Sequence, residues 1–139
     1  TTLIAMLCVD DNGGTMFNHR RQSQDRALRK RILELVGEGP LWMSAYSARQ
    51  FSAEDQQSIR QAEAPPAAAG EGEFCFLEGD PLLPYEKKLE SVILFRWNRV
   101  YPSDTCIDIR LDEQGWNLVE SSEFKGYSHE RITQEVYKR

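Results

Sequence analysis

The sequence is poor in residues that bind transition metals. Among its 139 residues are two histidines and three cysteines, and no Cys-x-x-Cys pair occurs. A zinc site needs clustered cysteine or histidine ligands, which this spacing does not provide. The cysteines stand far apart, and Cys8 and Cys75 lie in apolar runs, which is typical of small buried side chains rather than of a disulfide framework. We therefore predict structural thiols and no metal site.

Long hydrophobic runs are also missing. The longest, residues 3–9 and 92–95, fall far short of the roughly 20 residues that a membrane-spanning helix requires. The first residues lack the basic region and the small-residue cleavage site of a secretory signal. We expect a cytoplasmic protein without a membrane segment.

An excess of positive charge is absent as well. The chain has 22 acidic and 17 basic residues, for a formal net charge of -5. Proteins dedicated to nucleic acid usually carry an excess of lysine and arginine that neutralises phosphates. We therefore do not expect a nucleic-acid partner.

What is present is typical of a globular protein. Hydrophobic residues make up 40% of the chain and charged residues 28%, which are ordinary proportions for a folded protein. The length is sufficient for one hydrophobic core and too short for two independent ones. We predict one domain over residues 1–139.

The pattern of the first forty residues predicts a strand followed by a helix. Residues 3–9 are continuously apolar and a turn follows at residues 10–14, as expected for a strand buried on both faces. Apolar residues then recur at helical spacing, at Leu28, Ile32, Leu35 and Val36. Ser23 is the predicted N-cap of this helix, and Gly37 or Gly39 its end.

Shorter segments follow. Residues 41–43 predict a second buried strand, and Ser52 with Asp55 predicts the start of a helix over residues 53–61. Residues 64–72 are rich in proline, alanine and glycine and predict a surface connection within the domain.

The second half of the chain is predicted to consist mainly of strands. Residues 73–77 and 91–97 have strand patterns, with a short helical or turn segment at residues 81–89 between them. Residues 115–124 and 131–139 alternate partly and predict an antiparallel hairpin. Its last strand, residues 132–138, is expected near a sheet edge, where unpaired backbone groups could bind another protein. The predicted class is α/β with a C-terminal β-hairpin.

The strand pattern resembles a known enzyme family. Residues 3–10 look like the opening strand of dihydrofolate reductases, and residues 89–104, then Trp116, Glu123-Phe124, Ser128 and Val136-Tyr137, are similar in order and spacing to that family's closing strands. The resemblance implies a shortened dihydrofolate-reductase-like domain whose central mixed sheet is flanked by helices. It also implies NADPH as cofactor and Asp25 as the helix carboxylate that binds a pterin.

The functional motifs of that family are incomplete here. Its first loop carries Leu-Pro-Trp, whereas residues 16–25 contain neither proline nor tryptophan. Its cofactor loop carries adjacent glycines that let the backbone approach a pyrophosphate, whereas this chain has a single glycine, Gly79, between two carboxylates. Its second strand ends in Gly-Arg-x-Thr, whereas residues 44–47 read Ser-Ala-Tyr-Ser, with Arg49 as the nearby cation. The interval 51–74 is too short for the strand and helix of the adenosine site. We predict no cofactor, with NADPH as the alternative that the resemblance implies.

The chain also resembles short bacterial proteins that are commonly labelled ribonuclease Z. The resemblance lies in residues 17–26, residues 41–43 and residues 95–102. The label does not fit, because enzymes of that class need a His-x-His-x-Asp-His cluster for two zinc ions. Two isolated histidines cannot supply it.

The loop at residues 17–25 is the predicted ligand site. In an open α/β sheet, ligands bind beyond the carboxyl ends of the strands, where the next helix also presents free N–H groups. Arginine adds a bidentate fork for phosphate or carboxylate. In the alternative interpretation the arginines pair with acidic residues of the chain itself. The predicted ligand-binding residues are Asp10, Phe17, Asn18, Arg20, Arg21, Gln22, Ser23, Ser44, Tyr46, Trp97 and Arg99.

No catalytic residue is predicted, and two candidates are considered. His19 has a reference pKa near neutral pH but no nucleophile paired with it in sequence, so a surface role is the alternative. Asp25 is the candidate proton donor that the resemblance implies, and a favourable position in the first helical turn is the alternative. Trp97 and Arg99 could stack on a planar ligand, or Trp97 could belong to the core and Arg99 to a surface ion pair.

These observations support three functional hypotheses. The leading one is a protein that binds a small anionic molecule, nucleotide-like or pterin-like, and is not a competent dihydrofolate reductase. The alternatives are an NADPH-dependent reductase of that type and a protein-association module, with a monomer or a homodimer as the expected state.

Overall fold

The computed structural model describes residues 3–111 and 115–138, and these residues form ten strands. The strands are β1 (Leu3–Val9), β2 (Gly14–Phe17), β3 (Arg20–Arg21), β4 (Leu41–Met43), β5 (Ile59–Gln61), β6 (Phe74–Leu77), β7 (Leu89–Arg96), β8 (Thr105–Cys106), β9 (Asn117–Phe124) and β10 (Ile132–Lys138). The helices among the described residues are α1 (Arg26–Val36), α2 (Ala45–Ala48) and α3 (Pro65–Ala68), with 3-10 turns at Asp55–Ser58 and Leu83–Lys88.

Seven of these strands form a mixed sheet in the order β5-β4-β6-β1-β7-β10-β9. β5, β4, β6, β1 and β7 run parallel, and β10 and β9 complete the sheet in antiparallel pairing. A second sheet, in the order β3-β2-β8, is antiparallel. The α/β class and the C-terminal hairpin are therefore confirmed.

The central strand β1 is buried on both faces, as its continuous apolar run predicts. Ala5 and Leu7 belong to the core on one face of the sheet, and Met6 to the core on the other. The second core lies under α1, which contributes Leu28, Ile32 and Val36. The predicted helical stripe is thus confirmed, and it fixes α1 against the sheet with its N-terminus near the carboxyl end of β1.

The start of α1 differs from the prediction. Asp25, and not Ser23, is the N-cap: its backbone is extended and its side chain accepts hydrogen bonds from the amides of Ala27 and Leu28. The helix ends at Gly37, whose φ of 66° lies in the left-handed region that glycine adopts at little cost.

Two segments between β4 and β6 also differ. The helix predicted over residues 53–61 is wrong, because only the 3-10 turn Asp55–Ser58 forms before β5 pairs in parallel with β4. Residues 64–72 are not merely a surface connection, because α3 starts with Pro65 in its first turn, where a missing N–H costs nothing, and it buries Pro65 and Pro66.

The position of β10 corrects a further expectation. β10 lies next to the edge of the sheet but pairs with β7 on one side and β9 on the other, so it offers no unpaired backbone side to a partner, and the edge strand is β9. The alternation of Ile132, Gln134 and Val136 as buried residues reflects this interior position. Within the described residues, no helix has the length and apolar character needed to cross a membrane.

Candidate functional site

The segment predicted as a ligand-binding loop forms a β-hairpin. Met16 pairs with Arg21 and Phe17 with Arg20, and the two-residue turn consists of Asn18 and His19. Both turn residues have positive φ, 52° and 61°, which is the geometry of a tight hairpin turn. Asn18 was the sequence feature that could have indicated this turn, because asparagine adopts the left-handed backbone region more readily than most residues.

Asp10 anchors the chain that leads into this hairpin. It is fully buried, and its carboxylate accepts hydrogen bonds from the amides of Asn12 (2.9 Å), Gly14 (2.8 Å) and Tyr101 (3.1 Å) and from the side chain of Gln22 (3.2 Å). Burial acts to raise the pKa of Asp10, but these donors outweigh it and hold the pKa below its ordinary value. Asp10 therefore faces the chain's own donors rather than an open cleft.

The two arginines of the hairpin have different environments. The Arg21 guanidinium binds Glu78 through two hydrogen bonds, of 2.9 and 3.2 Å, and lies over the ring of Tyr46 at 4.4 Å. The Tyr46 hydroxyl in turn accepts the backbone N–H of Arg21 at 2.9 Å. Arg21 thus fits the interpretation in which a loop arginine pairs with an internal acid. Arg20 is exposed.

The turn that follows β6 does not fit a pyrophosphate. Gly79, with a φ of 78°, stands between Glu78 and Asp80, and burial raises the pKa of Asp80. The open side of Gly79 is covered, because a Cβ atom built there would overlap the sulfur of Met16 from the hairpin. Met16 thus occupies the space through which a diphosphate would approach Gly79, and the acidic side chains of Glu78 and Asp80 flank that position.

Asp25 occupies the centre of a second buried group. Its carboxylate accepts seven hydrogen bonds, two from the first turn of α1 and five from the loop that precedes β10. The loop donors are the amides of Tyr127 (2.8 Å), Ser128 (2.8 Å) and His129 (3.1 Å), the hydroxyl of Ser128, and the Nδ1 atom of His129 at 2.9 Å.

The electrostatic consequence is a carboxylate that is ionised at neutral pH. Burial by itself would raise the pKa of Asp25, but the hydrogen bonds from Tyr127, His129 and Ser128 prevail and hold it far below its ordinary value. A proton donor needs a carboxyl group that is protonated at working pH. The geometry of Asp25 therefore favours a hydrogen-bond acceptor over the proton donor that the resemblance implies.

His129 connects Asp25 to two hydroxyl groups. Because Asp25 can only accept, the Nδ1 atom of the neutral ring carries the hydrogen, and Nε2 is left as the acceptor. Nε2 lies 3.1 Å from the Ser23 hydroxyl and 2.9 Å from the Tyr101 hydroxyl. The ring is 4% exposed and stacks on Trp97 with a centroid distance of 4.4 Å. Sequence reasoning missed His129, because no local signal links it to Asp25, 104 residues earlier.

An open hollow of about 320 Å³ adjoins this group, between the hairpin and the segment at Pro102. Its lining residues include five of the predicted ligand contacts, and the full lining is Phe17, Asn18, Arg20, Arg21, Gln22, Tyr101 and Pro102. We call it the hairpin hollow. The Phe17 ring is 49% exposed at its wall, and within the described residues the buried side-chain oxygen of Gln22 has no hydrogen-bond partner.

The other predicted site residues do not line the hairpin hollow, although Tyr46 contacts Arg21 at its edge. Ser44 is the N-cap of α2 and, with Tyr46, borders a different hollow beside Gln61. Arg99 is exposed and lines a third hollow together with Trp97. His19 is exposed at the tip of the hairpin. Among the described residues, no three histidine, cysteine or acidic side chains are grouped so that they could hold a metal ion.

Comparisons with known proteins identify the fold. No protein-family model matches the sequence, and a comparison with curated proteins finds no match. Among solved structures, the chain is similar to a dihydrofolate reductase from Enterococcus faecalis complexed with NADP(H) and RAB-propyl, with a TM-score of 0.67 and 13% identity over 99% of this chain and 96% of that one. The chain thus has a dihydrofolate-reductase-like fold, and at this identity the likeness extends to the fold alone.

Proposed function

We propose that this dihydrofolate-reductase-like domain binds a small, flat, anionic molecule, nucleotide-like or pterin-like, in the hairpin hollow and is not a competent dihydrofolate reductase. The observation that carries the proposal is the composition of the hollow. It combines two aromatic side chains, Phe17 and Tyr101, with the exposed cation Arg20.

These groups suit the two parts of such a ligand. Aromatic faces bind a planar ring system through burial and offset stacking. An arginine that is not already paired can form a bidentate contact with phosphate or carboxylate, and a charge-assisted hydrogen bond contributes about 1.5–3 kcal/mol. Arg21 cannot supply that cation without losing Glu78, so the proposal assigns anion binding to Arg20.

Two features argue against the reductase alternative. Met16 covers the glycine at the turn where the resemblance puts the cofactor, and Glu78 and Asp80 flank that glycine. Asp25, the carboxylate that the resemblance assigns to the pterin, is committed to seven hydrogen bonds within the chain. These features support a fold whose reductase chemistry has been lost.

A thermal-shift screen tests the binding proposal. Nucleotides, folates and phosphorylated metabolites are added to the protein, and we expect at least one flat anionic compound to raise the melting temperature. Arg20→Ala should abolish that shift, whereas Lys138→Ala, which removes an exposed cation at the end of β10, should leave it unchanged. A shift that survives in Arg20→Ala would place the ligand elsewhere.

The reductase alternative has a separate test. The protein is incubated with dihydrofolate and NADPH while the nicotinamide absorbance is followed, and we expect no consumption of NADPH above that in a blank. Turnover that Asp25→Asn abolishes would establish the reductase alternative and refute this part of the proposal.

A further inference from the structure

The group around His129 has the connectivity of a nucleophile, a base and an orienting acid. Ser23 Oγ lies 3.1 Å from His129 Nε2, and Asp25 Oδ2 lies 2.9 Å from Nδ1 of the same ring. We propose that Ser23 is an acyl-accepting nucleophile, that His129 is its general base, and that the protein hydrolyses carboxylic esters at this site. Such an arrangement is recognised by geometry and roles, not by sequence order.

The chemical step is a double displacement in which water is the co-reactant. Ser23 Oγ forms a bond to the ester carbonyl carbon while its proton passes to His129 Nε2. The bond from that carbon to the alkoxy oxygen then breaks, and the departing alcohol takes the proton from Nε2. In the second half, water attacks the acyl-serine, its proton passes to Nε2, and Ser23 leaves with that proton as the free acid is released.

The surrounding residues prepare His129 for this role. Asp25 fixes the hydrogen on Nδ1 and stabilises the imidazolium that forms when the ring takes a proton. Trp97 stacks on the imidazole, so the ring cannot turn away from Ser23. Tyr101 presents a second hydroxyl 2.9 Å from Nε2, and that hydroxyl can donate to the oxygen that becomes negative on the substrate.

The position of Ser23 indicates the class of ester. Ser23 is not itself among the residues that line the hairpin hollow, but its hydroxyl and that of Tyr101, which does line it, both contact Nε2 of His129. An ester whose acid or alcohol part carries a negative charge could bind Arg20 with its carbonyl near Ser23. This choice of substrate rests on the proposed function, whereas the reactivity of Ser23 does not.

A fluorophosphonate probe tests the reactivity of Ser23 directly. In the labelling reaction Ser23 Oγ bonds to phosphorus, fluoride leaves, and the proton goes to His129. We expect the intact protein to be labelled, with the adduct mapped to Ser23 by peptide mass spectrometry. Ser23→Ala should abolish labelling, and His129→Gln should slow it by about a hundredfold or more, the usual contribution of a general base.

Matched variants separate chemistry from folding. Ser121→Ala, which removes an exposed serine on β9, should be labelled like the parent protein. Asp25→Asn tests the positioning role of Asp25. The labelling rate is measured against pH and corrected for the folded fraction, which circular dichroism gives. Loss of the positioning role should change the shape of this pH profile, whereas loss of folded protein alone would lower the rate equally at every pH. Labelling that persists in Ser23→Ala, or none in the folded parent protein, would overturn the proposal.

Failure here can be distinguished from failure of the binding proposal. The probe is uncharged, so its reaction with Ser23 does not depend on the anionic ligand that the thermal shift reports. A thermal shift without labelling would refute the ester hydrolysis alone. Labelling without any thermal shift would refute the anionic ligand and leave Ser23 as the nucleophile.

Discussion

Replacing Asp25 by asparagine is the most informative perturbation of stability. The amide oxygen can still accept from Ala27 and Leu28, but the NH₂ group then takes the place of Oδ2. There it faces the backbone N–H groups of Ser128 and His129, 2.8 and 3.1 Å from Oδ2, so donors meet donors. A buried donor left without an acceptor costs about 1–3 kcal/mol, so the two amides predict a loss of about 3 kcal/mol in the free energy of unfolding at neutral pH.

The loss should depend on pH in a defined direction. The folded protein holds the pKa of Asp25 below its ordinary value, so the stabilisation by the charged carboxylate is fully present above about pH 4, the ordinary range for aspartate. It is lost progressively as the pH falls from there towards the pKa of the folded state. The difference between the parent protein and Asp25→Asn should therefore shrink as the solution is acidified below about pH 4.

Urea unfolding at neutral pH and at several lower pH values measures this difference. Asp11→Asn is the matched control, because Asp11 is exposed, and its effect should stay within about 0.5 kcal/mol at every pH. If Asp25→Asn costs less than about 1 kcal/mol at neutral pH, or if its cost does not change on acidification, the hydrogen-bonding account of Asp25 is wrong.

Three further predictions concern packing and association. Gly79→Ala should destabilise the protein by about 2 kcal/mol, because an alanine at a φ of 78° is strained and its Cβ overlaps Met16; combining it with Met16→Ala should recover only the overlap part in urea titrations. Ile32→Ala should cost about 2–5 kcal/mol, because this side chain is fully buried under the sheet, whereas Leu83→Ala, at 58% exposed, should change stability by less than about 0.5 kcal/mol in the same assay. Light scattering after size exclusion should give a monomer near 16.0 kDa, because the edge strand β9 carries Glu120 and Glu123, and charged side chains on an edge strand disfavour its pairing with a second copy; a dimer would contradict this reasoning.

The elements that could be predicted from the sequence are those with a strong burial pattern. β1 is buried on both faces and therefore has a continuous apolar sequence, whereas α1 is buried on one face and therefore has apolar residues at helical spacing. β5 has neither pattern: Arg60 and Gln61 are exposed, and the segment is a strand only because β4 pairs with it. A residue pattern cannot reveal pairing that a partner 18 residues away imposes.

The candidate site shows the same division. Five of the seven residues that line the hairpin hollow lie between positions 17 and 22, so an unusual local composition was enough to group Phe17, Arg20 and Gln22. Their separate environments were not predictable, because Arg21 meets an acid 57 residues away. The role of His129 was not predictable for the same reason, because its hydrogen bond to Ser23 joins two segments that meet only in the folded sheet.

The bond between Asp25 and the loop before β10 has a consequence for how the chain folds. Five of the hydrogen bonds to Asp25 come from residues more than a hundred positions later in the chain, so they form only after those residues have been synthesised. In the same way, β7 pairs with β1 first and acquires its second neighbouring strand only when β10 is present. During translation α1 would therefore emerge with the Asp25 carboxylate bonded only to the amides of its own first turn. Such contacts between distant segments raise the contact order and slow folding. The nascent chain would thus expose one long edge of its sheet until synthesis has passed β10, a period in which chaperones could bind it.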